Sequence, residues 1–418
     1  MKYLLPLFLA IPLLLAQELH AQEELPPVDK AYMDTVMLAM PPIPSDLSER
    51  NISCALPTKQ GFGKSAEQIE YHKTGWLERL DAQWDYFDID PKDGRVLVIE
   101  TAQDINGVPH YKYFANLTHT QVYEPWSSSK VMAITGALSQ MRAKGNIGAT
   151  ASAGNTAVAD LITSVHSYQK EGGADGNSNA IATYFVNLAT RGYLTELFHE
   201  KWLKLDDSRI HFSGAYANEV FTPSDPNWHL GDKTVAAPYY IKASDDPDYQ
   251  TYRCESCGLT GNKPMTTLAQ AEWLKRLSMH QRDSATAHPN LTAQDIEVLF
   301  YGLPESIGGM SKGIGVSLHQ ALAHVFADKQ ASEALGWLDS STDGKWRIWQ
   351  KIGWGPSETR GQSEQVLLAQ VCLPSKTGQR AFTIAAQVGV EGATQSNVVN
   401  AGRKLESLLI RTLSKLKE

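Results

Sequence analysis

The sequence predicts a mixed α/β fold, an antiparallel sheet flanked by helices. Three observations predict it. Two strand-like runs, Arg95-Val-Leu-Val-Ile-Glu-Thr101 and His110-Tyr-Lys-Tyr-Phe114, come early, and a long stretch with helical spacing follows them. Three more strand-like runs then lead into a closing amphipathic helix.

The first residues, Met1-Lys-Tyr, precede an apolar run from Leu4 to Ala16, with small-residue sites at Ala16 and at Leu19-His20-Ala21. This predicts a signal peptide over 1–21. The run is too short to span a bilayer and has no adjacent cysteine to carry a lipid. The mature chain is therefore expected to be periplasmic or secreted, without a membrane anchor. The 418 residues are 42% hydrophobic with a net charge of −8, enough for a sizeable core, and no basic patch points to nucleic acid. Export permits oxidation of the four cysteines. Cys254 and Cys257 are the expected pair, with Cys54 a competing partner and Cys372 in a strand-like run. A zinc site at Cys254-Glu-Ser-Cys257 lacks a second ligand pair, so no metal is expected.

Residues 22–65 are Pro-rich and aperiodic, which predicts an extension draped over the body. Gly61-Phe-Gly-Lys-Ser65 ends like a phosphate loop but lacks its leading glycine. Ala66 to Ala82 has the spacing of an amphipathic helix. After the first strand pair comes Pro125-Trp126-Ser127-Ser128-Ser129-Lys130-Val131, where Ser127 and Lys130 lie one turn apart at a helix start. Val131, Ile134, Leu138 and Met141 give that helix a core face. A serine becomes a nucleophile when a desolvated lysine amine can take its proton. The same spacing recurs at Ser167/Lys170 and Ser414/Lys417, but only the first follows a strand pair and opens an apolar helix.

Ala157 to Thr163 predicts another helix, and Asn177-Ser178-Asn179 heads the next. An asparagine there is a cap, or it forms a second cleft wall whose hydroxyl or amide relays a proton. Residues 221–262 have no period and are expected to form an insertion or lid. A threonine-capped helix restarts at Pro264–Leu274. Gly309-Met-Ser-Lys-Gly313 spells a nucleophile elbow, but no strand precedes Ser311. The late strands are Lys345–Gln350, Gln365–Leu373 and Arg380–Val388. The final helix carries Val398, Ala401, Leu405, Leu408 and Leu416 on one stripe, which should lie across their sheet.

From about Arg95 onward this order of elements and motifs resembles the class A β-lactamase and penicillin-binding (DD-peptidase) superfamily. The resemblance implies a β-lactamase/transpeptidase-like fold, with an α/β domain built from both chain ends (66–125 and 340–418) and a helical domain inserted between them (126–339). Ser127 and Lys130 match the first motif. Asn177-Ser178-Asn179-Ala-Ile-Ala is similar to the second, Ser-Asp-Asn followed by Thr-Ala-Ala. For the third, Lys-Thr-Gly, the literal Lys376-Thr377-Gly378 leaves only one strand after it, whereas Lys351-Ile352-Gly353 leaves the two that the fold requires.

By this resemblance Ser127 attacks an amide or lactam carbonyl and Lys130 takes part in removing its proton. Lys351 faces a substrate carboxylate, Asn179 bonds Lys130 and the substrate amide, and Ile352, Gly353 and Trp354 border the substrate, with a backbone N–H just after Gly353 in the oxyanion hole. The implied partner is a small-molecule β-lactam or a peptidoglycan-type peptide, acted on by a monomer without a cofactor. The alternatives are a DD-peptidase or transpeptidase, or a catalytically weakened binding protein. Three positions depart from the family: Asn177 replaces a serine, Ile352 replaces a threonine, and Gly214 stands where a glutamate activates the deacylating water. Glu219 is the nearest possible base. Hydrolysis is therefore expected to stall after one equivalent.

Overall fold

The computed structural model describes residues 25–418 apart from 51, 53, 238–239, 252–262, 359 and 376–377. The expected signal peptide, the Cys254–Cys257 pair and the Lys376–Thr377 dipeptide lie outside the described residues. The fold is mixed α/β, as the alternation of runs predicts. Its main sheet contains β1 (Arg95–Gln103), β2 (Pro109–Ala115), β3 (Arg347–Ser357), β4 (Gln362–Leu373) and β5 (Arg380–Glu391), in the spatial order β2-β1-β5-β4-β3. All neighbours among these five are antiparallel. Strands from both ends of the chain thus share one sheet, joined where Val98 pairs with Ile384.

The sheet is covered on both faces, which explains why its strands read as unbroken apolar runs. On β1, Leu97 and Ile99 enter one core and Val96 and Val98 the other, by the two-residue period of a strand. The first core lies under α2 (Lys130–Gly145), α3 (Val158–Ser167), α4 (Ser178–Ala189) and α5 (Thr267–Ser278); the second lies under α6 (Gln395–Lys417). On α6 the stripe Val398, Ala401, Leu405 and Leu408 is buried. The extension contains α1 (Pro27–Tyr32), whose continuation lays Met33 and Met37 on Val398 and Val399 of α6.

Three expectations are corrected. Ala66–Ala82 is not one helix: it is a single turn, Ala66–Ile69, then a 3₁₀ turn, Trp76–Arg79. Its spacing is that of buried residues (Ile69, Trp76, Leu80), but Glu70 and Gly75 adopt positive φ and break the helix. The 221–262 insertion contains a hairpin, Asn227–Leu230 with Lys233–Ala236, which joins Ser152–Ala153 in a small second sheet. The inserted part is therefore not all helical. Cys54 is bonded to Cys372, not held in reserve for Cys254 or Cys257, so the bridge ties the extension to β4.

Candidate active site

The candidate nucleophile turn runs Pro125-Trp126-Ser127-Ser128-Ser129 into α2, and three consecutive serines there have different fates. Ser128 Oγ donates to Pro125 O (2.6 Å) and Ser129 Oγ to Trp126 O (2.9 Å), and both residues are buried. Ser127 alone lines the cleft. Gln270 on α5 braces the turn through Ser128 Oγ (2.7 Å), and Trp273 reaches Thr135 on α2 (3.1 Å). Trp126 has a left-handed backbone (φ 51°), a strained state for a bulky residue. Its indole is held by Glu364 (2.8 Å) and its ring lies against Gly355.

Lys130 is fully buried one turn on. Its Nζ donates to Ser178 Oγ (2.9 Å) and Asn179 Oδ1 (2.6 Å). Burial, helped by the nearby Lys263 ammonium, pushes its pKa well below the usual lysine value. Among the described residues no carboxylate pairs with it. Of the run Asn177-Ser178-Asn179, the second and third residues meet Lys130. Ser178 turns inward, while Asn177 is exposed, caps α4 through Ala180 N (3.1 Å) and reaches Glu219 (3.4 Å). The cap reading of Asn177 is the correct one, and its place in the catalytic set is withdrawn.

Lys351 lies on β3 with its side chain toward α2 and is 1% exposed. Its Nζ donates to the Tyr168 hydroxyl (2.9 Å), and burial followed by the Lys130 charge holds its pKa well below normal. It faces Tyr168 and does not line the cleft, so it presents no open anion site. Ile352, on the opposite side of the strand, packs into the α6 core away from substrate. Gly353 returns to the α2 side, where an added Cβ would lie 2.5 Å from Pro125 O and 2.8 Å from Ser127 N. Because β3 is the edge strand, its backbone meets the nucleophile turn directly and not through a further strand. Trp354 borders the cleft.

Tyr168, Tyr216, Glu124 and Lys263 were not predicted. Tyr168 ends α3 in a left-handed conformation (φ 58°), and its phenol lies among Ser127, Ser178 and Lys351. Burial raises its pKa to about 12 against the pull of the two serine hydroxyls, so the group is a neutral donor and acceptor. Tyr216 hydrogen-bonds Ser129 Oγ (2.8 Å), and Lys130 Nζ lies 5.3 Å from its ring centre. Glu124 and Lys263 pair at 3.4 Å, both buried, on the wall of the same cleft. No local signal marks them, because their neighbours come from distant segments. The cleft has a volume of about 380 Å³ and is lined by Glu124, Ser127, Asn179, Tyr216, Lys263 and Trp354, among others.

Glu219 is exposed and does not line this cleft, and Gly214 is buried with its carbonyl accepting from Arg191 Nε (2.8 Å). Ser311 is in a 3₁₀ turn, Gly309–Lys312, and donates to Phe300 O, so it is no elbow nucleophile. Among the described residues no metal-ligating cluster is present, and no helix is long and apolar enough to cross a membrane.

No protein-family model matches the chain, and no curated protein matches it in sequence. Solved structures do. A β-lactamase from Xanthomonas campestris shares 12% identity over 78% of this chain and 93% of its own, with a TM-score of 0.38. One from Burkholderia phymatum shares 11% over 78% and 94% (TM-score 0.36), and one from Streptosporangium roseum 14% over 78% and 95% (TM-score 0.33). With scores this low, functional assignment rests on the site itself.

Proposed function

We propose that this chain is an exported serine acyl-transfer enzyme that opens an amide or lactam carbonyl through an ester on Ser127, acting on a β-lactam or a D-alanyl-D-alanine-type peptide. One observation carries the reading. Of three adjacent serines, only the one left free of a backbone carbonyl faces the cleft, and a fully buried lysine without a carboxylate partner stands one turn behind it.

The chemistry follows from that arrangement. A lysine kept neutral by burial accepts a proton at neutral pH, which an exposed lysine does not. Tyr168 and Ser178 form a hydroxyl route from Ser127 to Lys130, which runs once Ser178 turns its proton from Val165 O (2.8 Å) toward the Lys130 amine. Lys351 orients Tyr168, while Lys263 adds to burial in disfavouring charge on Lys130. The Ser127 N–H and the first free N–H of β3 beyond Gly353 are the donors for the carbonyl oxygen as it becomes anionic. Asn179, whose Oδ1 accepts from Lys130, has its Nδ2 left for the substrate amide.

The test is intact-protein mass spectrometry after incubation with a penicillin. One adduct is expected, absent from Ser127→Ala. An adduct that survives this substitution, or maps to Ser311, refutes the proposal.

A further inference from the structure

Part of the 221–262 insertion forms a wall of the cleft that Ser127 lines: Tyr249 borders it together with Tyr216 and Asn218. The tyrosine is held from behind. Its N–H donates to Asp246 O (3.0 Å) and Gln250 N to Ser213 O (2.7 Å), so the segment is stitched to the loop that carries Tyr216. Asp246 and Arg191 form a buried ion pair at 2.9 Å, and Arg191 also donates to Gly214 O (2.8 Å) and Asn187 Oδ1 (3.1 Å). The guanidinium carbon lies 5.1 Å from the centre of the Tyr249 ring, a cation–π contact fixed by that ion pair. The ring is half-buried, which leaves part of its surface for another group.

Backbone contacts show which part of a substrate would meet it. Thr183 on α4 donates to Asn179 O (3.0 Å) and accepts from Tyr216 N (3.1 Å) and Ala217 N (3.2 Å). The wall therefore runs from Asn179 through the 213–217 loop to Tyr249. A substituent that reaches Tyr249 is the one beyond the amide assigned to Asn179.

The lining limits the chemistry of that substituent. Trp126, Tyr216 and Tyr249 supply aromatic groups, and Ala215 and Ala217 leave space between them. Glu124 and Lys263, the charged lining groups among the described residues, are 2% and 3% exposed and pair with each other at 3.4 Å. A charged substituent would lose its water and gain no partner, whereas a flat neutral ring gains burial and an aromatic contact. Resting on the function proposed above, we propose that Tyr249 is a specificity-determining residue, which receives a neutral aryl group on the substrate's amide side chain and favours such substrates over small or anionic ones.

The purified full chain is mixed with three penicillins that differ only in the side chain: phenylacetyl, acetyl, and adipoyl, which ends in a carboxylate. Intact mass at timed quenches gives the rate constant for adduct formation. Wild type should favour phenylacetyl over acetyl on the order of tenfold, the worth of one aromatic contact, and should react slowest with adipoyl. Tyr249→Ala should bring the ratio of phenylacetyl to acetyl rates close to one. Tyr249→Leu, which keeps bulk without a ring, should do the same, and it decides the matter if the alanine variant does not fold. Tyr249→Phe should keep the wild-type ratio. A residue that only supported the loop would lower the rates together and leave their ratio as it was, and that result overturns the proposal. So does a wild type that reacts with all three alike or fastest with adipoyl. A wild type that forms no adduct with any of them instead refutes the function on which the proposal rests.

Discussion

Gly353→Ala isolates the contact between β3 and the nucleophile turn. Gly353 is not among the positive-φ residues, so alanine adds no backbone strain and its whole effect is one methyl group. That methyl would lie 2.5 Å from Pro125 O, against 3.4 Å for the onset of ordinary contact, and 2.8 Å from the amide nitrogens of Ser127 and Ser128. All three are backbone atoms that cannot swing aside, so the strand and the turn must separate by close to an ångström. Overpacking of this kind costs roughly 1–3 kcal/mol. The separation also spreads the two proposed oxyanion donors, and loss of one such donor costs about 10²–10³-fold. Acylation by nitrocefin, followed by stopped flow, should fall by that factor while the unfolding midpoint drops modestly. An unchanged acylation rate together with an unchanged midpoint would show that β3 does not rest on the turn, and the oxyanion-hole assignment would fail with it.

Lys351→Ala should cut acylation sharply, because it frees Tyr168, whereas Lys376→Ala should leave acylation unchanged; burst kinetics of the two variants compare them directly. Glu219→Gln, altering an exposed group outside the cleft, should leave the steady-state rate at the wild-type value. Lys263→Met removes a cation that lowers the Lys130 pKa, so the acid limb of the acylation pH profile should move to higher pH, since neutral Lys130 is lost sooner as pH falls. A limb that stays in place or moves to lower pH would show that Lys130 does not limit acylation. Reduction of Cys54–Cys372 should lower stability by about 2–5 kcal/mol, measured by urea unfolding with and without reductant.

Much of the fold was legible because it is written in local period. The two early strands, the three late ones, α2 and α6 all came from spacing of apolar residues. What failed depended on backbone state or distance along the chain. Glu70 and Gly75 end a helix whose apolar spacing persists, and nothing in the pair Cys254–Cys257 reveals that Cys54 meets Cys372. Within the site, the choice between Asn177 and Ser178 depended on which residue the α4 cap requires. Tyr168, Glu124 and Lys263 converge only because α3, the nucleophile turn and the segment before α5 are folded together.

The shared sheet also sets the order in which the molecule can be made. Arg95 and Gln387, side by side across β1 and β5, are separated by 292 residues of chain. Until β5 has left the ribosome, β1 can pair only with β2, and Gly353 has not arrived to press on the serine turn. A chain emerging from its N-terminus therefore spends most of its synthesis with β1 exposing an apolar edge, and the packing around Ser127 is completed late. Closing so long a loop is slow, since its entropy is lost before distant contacts compensate. In a crowded compartment such delay makes the half-made chain a client for any factor that shields open strand edges.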